Sequence, residues 1–206
     1  MGLDIYFHKA KRTDYDAYTE AHKKWAKEKP ASAKMSEKSF NALSADKQEK
    51  IRKEVTAYYK KEPTMEQHNI SDVGYFRKVN FLIPFFSYSE NCEFKEIAKS
   101  ELEDLKERTD KLSAIKPVRK VKHWYREEDK SKPNPVENKD YWVENIYRKA
   151  DKELAEDLLP SQSGFFFGST EYNQWYWQDV KEVNEWVTDL LENLKDDEMV
   201  LMYCWW

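Results

Sequence analysis

Two apolar stretches at opposite ends of the chain constrain its fold most. Leu3, Ile5 and Phe7 alternate with Asp4, Tyr6 and His8, the period of a half-buried strand. Residues 199–206 (MVLMYCWW) form a continuous apolar run behind the charged Lys195–Glu198 segment. That run is too short for a helix and reads as a buried strand. A strand must pair, so the spacing predicts that the two ends pair with each other or lie in one sheet.

Helical patterns fill most of the interval. Tyr15, Tyr18, Ala21, His22 and Trp25 share a face over 14–29, before Pro30. Phe40, Leu43, Ile51, Val55 and Tyr58 predict a second helix over 36–61. Residues 62–73 read as a loop. Residues 74–86 read as a helix that Pro84 kinks or ends, and 99–112 as a charged amphipathic helix. Residues 127–139 carry Pro133 and Pro135 without periodicity and read as an exposed loop. Helix returns over 138–159, up to Pro160. The longest stripe is Tyr172, Tyr176, Val180, Val183, Val187, Leu190 and Leu194, stepping by four and three. The prediction is a single α+β domain over 1–206. A small sheet holds the N- and C-terminal strands, several helices pack on it, and insertions fall at about 11–70 and 113–140.

Composition narrows the function classes. The chain has 206 residues, 36% charged and 15% aromatic, with a net charge of −4. That charge argues against general coating of nucleic acid, leaving room for a local basic patch. Five Lys or Arg with Trp124 and Tyr125 in 116–126 (KPVRKVKHWYR) are such a patch, but the acidic residues that follow offset it, so nucleic acid is not an expected partner. Two cysteines, Cys92 and Cys204, make neither a disulfide framework nor a metal motif, and fit a reduced, cytoplasmic setting. No apolar run reaches the ~20 residues of a membrane span, so no membrane association is expected. Four scattered histidines show no metal-ligand spacing, no Gly-x-Ser-x-Gly elbow occurs, and no glycine-rich nucleotide loop is present. No metal and no cofactor are expected, and no catalytic residue is assigned.

The segment SQSGFFFGSTEY, 161–172, is the leading site candidate. The chain has only 4 glycines, and Gly164 and Gly168 bracket three phenylalanines ahead of the longest helix. Each glycine suggests a backbone angle that other residues resist. In an extended run Phe165 and Phe167 face one side and Phe166 the other. Ser169 or Thr170 suits an N-cap, with Glu171 a first-turn acid. Unpaired amides at such a helix start favour anions. Gln162, Ser163, Ser169, Thr170 and Glu171 add polar contacts, with the Phe rings as stacking walls, and Gly164, Phe166, Gly168 and Tyr172 complete the expected ligand-binding set. Glu171 disfavours a bare phosphate and suits a hydroxyl or a base edge. The second candidate is Tyr75, Arg77, Lys78 and Asn80, where Arg77 and Asn80 share a helix face and Arg77 offers a fork to phosphate or carboxylate. The competing reading is a solvated basic face, or Arg77 paired with Asp4 or Glu171.

Four blocks carry a resemblance: MGLDIYF at the start, GYFRKVN at 74–80, SENC at 89–92, and LLPSQSGFFFGSTEYNQWYWQDV at 158–180. They resemble an uncharacterised family of small proteins common in bacteriophage and prophage genomes. Its members read MGLDMYL at the start, YWRKAN in the middle and LLPTQSGFFFGSTEYDEWY near the end. Residues 11–70 and 113–145 have no counterpart in it. The resemblance implies a phage or mobile-element setting and no established activity.

The leading expectation is a non-enzymatic phage-type accessory protein. It binds a small anionic ligand, such as a nucleotide, between the Arg77 block and the SGFFFGSTEY segment. One alternative is an interaction module that engages a host protein through 14–61 and 113–140. The other is an enzyme acting on a nucleotide or a protein through Cys92 or Glu171.

Overall fold

The computed structural model describes residues 2–89, 92–124 and 141–206. The fold is α+β. Among the described residues, seven helices accompany a four-stranded sheet that contains both terminal strands.

The first strand, β1, spans Asp4–Lys11, and the last, β6, Glu198–Trp205; they are neighbours in the centre of the sheet. The edge strands are β2 (Ser71–Arg77), beside β1, and β3 (Phe94–Ile97), beside β6. β3 runs antiparallel to β6, with Phe94 opposite Tyr203 and Ile97 opposite Val200. Leu3, Ile5, Phe7, Phe76, Val200, Met202 and Cys204 turn into the core. They meet α5 (Lys99–Ser113) through Leu102, Leu105 and Leu112, and α7 (Gln174–Asn193) through Val180, Val183 and Val187. Asn184 of α7 donates to Thr109 Oγ1 at 3.0 Å and to Asp110 Oδ1 at 2.8 Å, pinning the register of the two helices.

The chain divides into two compact units. One comprises the chain up to Phe7, Val73–Leu194 and Val200–Trp206. The other comprises His8–Asp72 with Lys195–Met199. In the second unit lie α1 (Arg12–Lys27), α2 (Glu37–Asn41) and α3 (Ala45–Tyr59). Trp25 stacks on Tyr58 with ring centroids 4.7 Å apart. The Trp25 indole N–H donates to the Tyr58 carbonyl at 3.1 Å, and the Tyr58 hydroxyl donates back to the Trp25 carbonyl at 3.0 Å. Ion pairs His8–Asp72 and Lys11–Asp197, both at 2.7 Å, add polar contacts there.

Three predicted helices are corrected. Residues 74–86 are not one helix. β2 runs to Arg77, a turn follows, and α4 occupies only Leu82–Phe85. Gly74 and Phe76 alternate with Tyr75 and Arg77, a short period-two pattern that pairing with β1 selects over helix. Arg77 and Asn80 therefore share no helix face. The predicted helix over 36–61 is two helices. Gln48 Nε2 donates to the Phe40 and Leu43 carbonyls at 3.2 and 3.1 Å, satisfying backbone groups at the break. The predicted helix over 138–159 becomes β5 (Tyr141–Ile146) and α6 (Lys149–Leu158). β5 is rich in aromatic and β-branched residues and pairs antiparallel with β4 (Arg119–Trp124), which lies in the basic 116–126 stretch. The predicted loop over 62–73 contains a 3₁₀ turn at Glu66–His68 and the start of β2. The predicted loop over 127–139 lies outside the described residues.

Candidate functional site

Three segments distant in sequence meet at one end of the sheet. The Lys78 amide donates to the Leu3 carbonyl at 2.8 Å, and the Leu3 amide donates to the Phe166 carbonyl at 2.9 Å. Asn80, only 4% exposed, completes the junction. Its amide nitrogen donates to the carbonyls of Phe167 (3.2 Å) and Ser169 (2.9 Å), and its oxygen accepts from the Gln162 amide (3.3 Å). A buried side-chain amide used on both sides holds the 162–169 loop as a backbone strand would. Asn80 is thus a positioning residue whose polar atoms are already engaged.

The three phenylalanines are not extended. The Phe167 amide donates to the Gly164 carbonyl at 3.1 Å, closing a turn. Phe165 projects with 96% of its surface exposed, Phe166 is half-buried, and Phe167 is buried edge-on to Trp206. The two glycines serve different ends. Gly168 has φ +89°, which supports the expectation of a special backbone angle. Gly164 instead makes room: a Cβ there would stand 2.9 Å from the Phe167 ring.

The start of α7 also differs from expectation. The N-cap is Asn173, whose Oδ1 accepts from the Trp175 amide at 2.9 Å. Neither Ser169 nor Thr170 caps the helix; Ser169 Oγ accepts from the Glu171 amide at 3.1 Å, a local turn bond. A side chain of the protein already occupies the helix start, so an anion there depends on side-chain cations. The loop is further held by Tyr172, whose hydroxyl accepts from the Ser161 amide at 3.1 Å. The Tyr176 hydroxyl donates to the Leu159 carbonyl at 2.9 Å, and burial raises its pKa.

Between these parts lies a cleft of about 230 Å³. Arg77 and Lys78 form one wall, Gly168, Ser169, Glu171 and Asn173 another, and Trp175 and Asp179 the α7 side; Asn80, Phe81, Ser161 and Tyr176 complete it. Among the predicted residues, Arg77, Lys78, Asn80, Gly168, Ser169 and Glu171 line the cleft. Tyr75, Gln162, Ser163, Gly164, Phe166, Thr170 and Tyr172 do not. Sequence reasoning missed Trp175 and Asp179. They lie four apart on α7, beside its apolar stripe, and no local signal singles them out; Phe81, Ser161, Asn173 and Tyr176 were likewise not among the predicted residues.

The cleft is electrostatically mixed. Arg77 Nε stands 3.9 Å from Asp4 Oδ1, and the Tyr75 hydroxyl donates to the same oxygen at 2.5 Å. That bond, then burial, raises the Tyr75 pKa. Lys78 is exposed, and no described side chain pairs with its ammonium. Its backbone is left-handed, with φ +62°. Burial, reinforced by Glu182, pushes the Asp179 carboxyl up to about 7.

Cys92 is exposed and Cys204 buried, with its thiol pushed up by burial; the Cys92 amide donates to the Cys204 carbonyl at 2.9 Å. Among the described residues, no three His, Cys, Asp or Glu side chains gather as a metal site, and no helix is long and apolar enough to cross a membrane. No family model, curated protein or solved structure matches the chain.

Proposed function

We propose that this protein binds a small anionic ligand, with nucleotides as the best-fitting class, in the cleft between the Arg77–Asn80 turn and the start of α7. The observation that carries the reading is Lys78. A left-handed lysine costs roughly 1–2 kcal/mol, and such strain persists only where the surroundings impose it. Here the Lys78–Leu3 backbone bond and the close approach of Gly168 impose it, and the result is an ammonium at the cleft that no described side chain pairs with. Trp175, 61% exposed, offers a ring face from the α7 side, and Glu171 can accept a hydroxyl. A volume of about 230 Å³ is below the roughly 300–1,000 Å³ of typical ligand pockets, so part of a nucleotide projects from the cleft. The ligand is held and returned intact, an accessory role that suits the phage or mobile-element setting implied by the resemblance.

The test is calorimetric titration of nucleoside monophosphates into the protein and its Lys78→Gln variant. Glutamine is one atom shorter, stays unbranched and polar, and removes the charge. Affinity is expected to fall about ten-fold or more, with a melting temperature within two or three degrees of the parent. Equal affinities sink the assignment. Mass spectrometry of the recovered ligand separates binding from turnover.

A further inference from the structure

The four-stranded sheet carries one aromatic ring from each strand in a single row. In sheet order these are Tyr75, Tyr6, Tyr203 and Phe94, with successive centroids 5.0, 6.2 and 5.2 Å apart. Strand alternation places them on the face opposite Phe76, Ile5, Phe7 and Met202, which fill the core. Cross-strand aromatic pairs stabilise sheets, which accounts for neighbouring rings. It does not account for what stands at the β2 end. Tyr75 is 51% exposed there, beside the Arg77 side chain, itself 59% exposed. The acid between them, Asp4, is buried and already accepts from the Tyr75 hydroxyl. The open charge at this end is therefore cationic, from Arg77 and Lys78, and Gly2 packs beneath both. Those same two cations line the cleft.

We propose that Tyr75, the exposed end of this row, is a stacking platform for the base of a nucleotide while Arg77 and Lys78 hold the phosphate. The inference rests on the cleft reading and names what that cleft leaves outside. A planar ring needs an aromatic face and a phosphate needs a cation. The β2 end supplies both side by side, with no open carboxylate between them among the described residues. An uncharged sugar or a proline-rich peptide uses the rings and leaves the cations idle.

Titrations of adenosine monophosphate and ribose 5-phosphate, which differ by the base, test the proposal. The parent protein is expected to bind the nucleotide about ten-fold or more tighter than the sugar phosphate. Tyr75→Leu should erase that difference and leave ribose 5-phosphate unchanged, and Tyr75→Phe, which keeps the ring, should retain it. Ring-proton shifts of Tyr75 with the nucleotide, absent with ribose 5-phosphate, report stacking directly and decide the matter if Tyr75→Leu fails to fold. Equal affinities without ring shifts overturn the platform and leave the cleft reading intact. Binding of neither compound overturns both. Affinity that climbs with each base added to a single-stranded oligonucleotide overturns the mononucleotide assignment.

Discussion

Asp179 shows how one half-buried carboxyl sets a pH dependence. Its carboxyl titrates near 7 in the folded chain, chiefly because burial penalises the ionised form. In the unfolded chain an aspartate titrates near ~3.9. Below that value both states are protonated and the residue costs nothing. As pH rises from about 4 to about 7, the unfolded chain releases its proton and the folded chain resists, so stability falls across this window and levels off above it. Asp179→Asn removes the effect. After discounting for partial solvent screening, the variant should be about 1–3 kcal/mol more stable at pH 8, with the gain vanishing near pH 4. Urea denaturation at a series of pH values checks this; a constant difference means that burial is not the cause. Nothing in the local sequence marks Asp179 among the many carboxylates of this chain. Its pKa arises from neighbours that only folding supplies.

At the level of elements, β2 shows why a strand can be mistaken for a helix. Phe76, Val79, Ile83 and Phe86 do recur at helical spacing, and all four are buried. They reach the core from a strand, a turn and a four-residue helix instead. Gly74 explains part of the choice. The Trp186 indole N–H donates to the Val73 carbonyl at 2.7 Å, and a Cβ on Gly74 would stand 2.5 Å from that indole nitrogen. The ring itself is wedged against Phe7 and Phe76. Gly74→Ala should therefore cost about 1–3 kcal/mol through overpacking, the opposite of the gain expected for removing a glycine from a helix. Chemical denaturation followed by tryptophan fluorescence measures it, and a neutral or stabilising result overturns this account of the β2–α7 contact. By contrast, α5 and α7 lie close to where their apolar stripes place them, since a long amphipathic stripe leaves one way to bury itself. The start of α7 shifted by a few residues because Asn173, rather than Ser169 or Thr170, reaches the first free amide.

For the whole molecule, the decisive feature is that the last strand pairs on both sides. β6 lies between β1 and β3, and Val200, Met202 and Cys204 sit in the core beside Leu3, Ile5 and Phe7. A chain truncated before Glu198 loses the middle of its sheet and that share of the core. It should show no cooperative unfolding transition and no near-ultraviolet circular dichroism, even where helical signal survives. A truncated chain that melts cooperatively contradicts the central place of β6.

The amino-acid order alone was enough for the two terminal strands, the α+β class and the helices with long stripes, because periodicity and burial act within a few residues of each other. It also pointed to the two segments that meet at the cleft. It could not decide how they meet. Asn80 engages carbonyls 87 and 89 positions away, Lys78 adopts a left-handed angle that its own sequence does not call for, and the aromatic row takes one ring from each of four strands. Each of these depends on contacts between distant residues, whose energy exists only once the chain has closed upon itself; local pattern carries no trace of it.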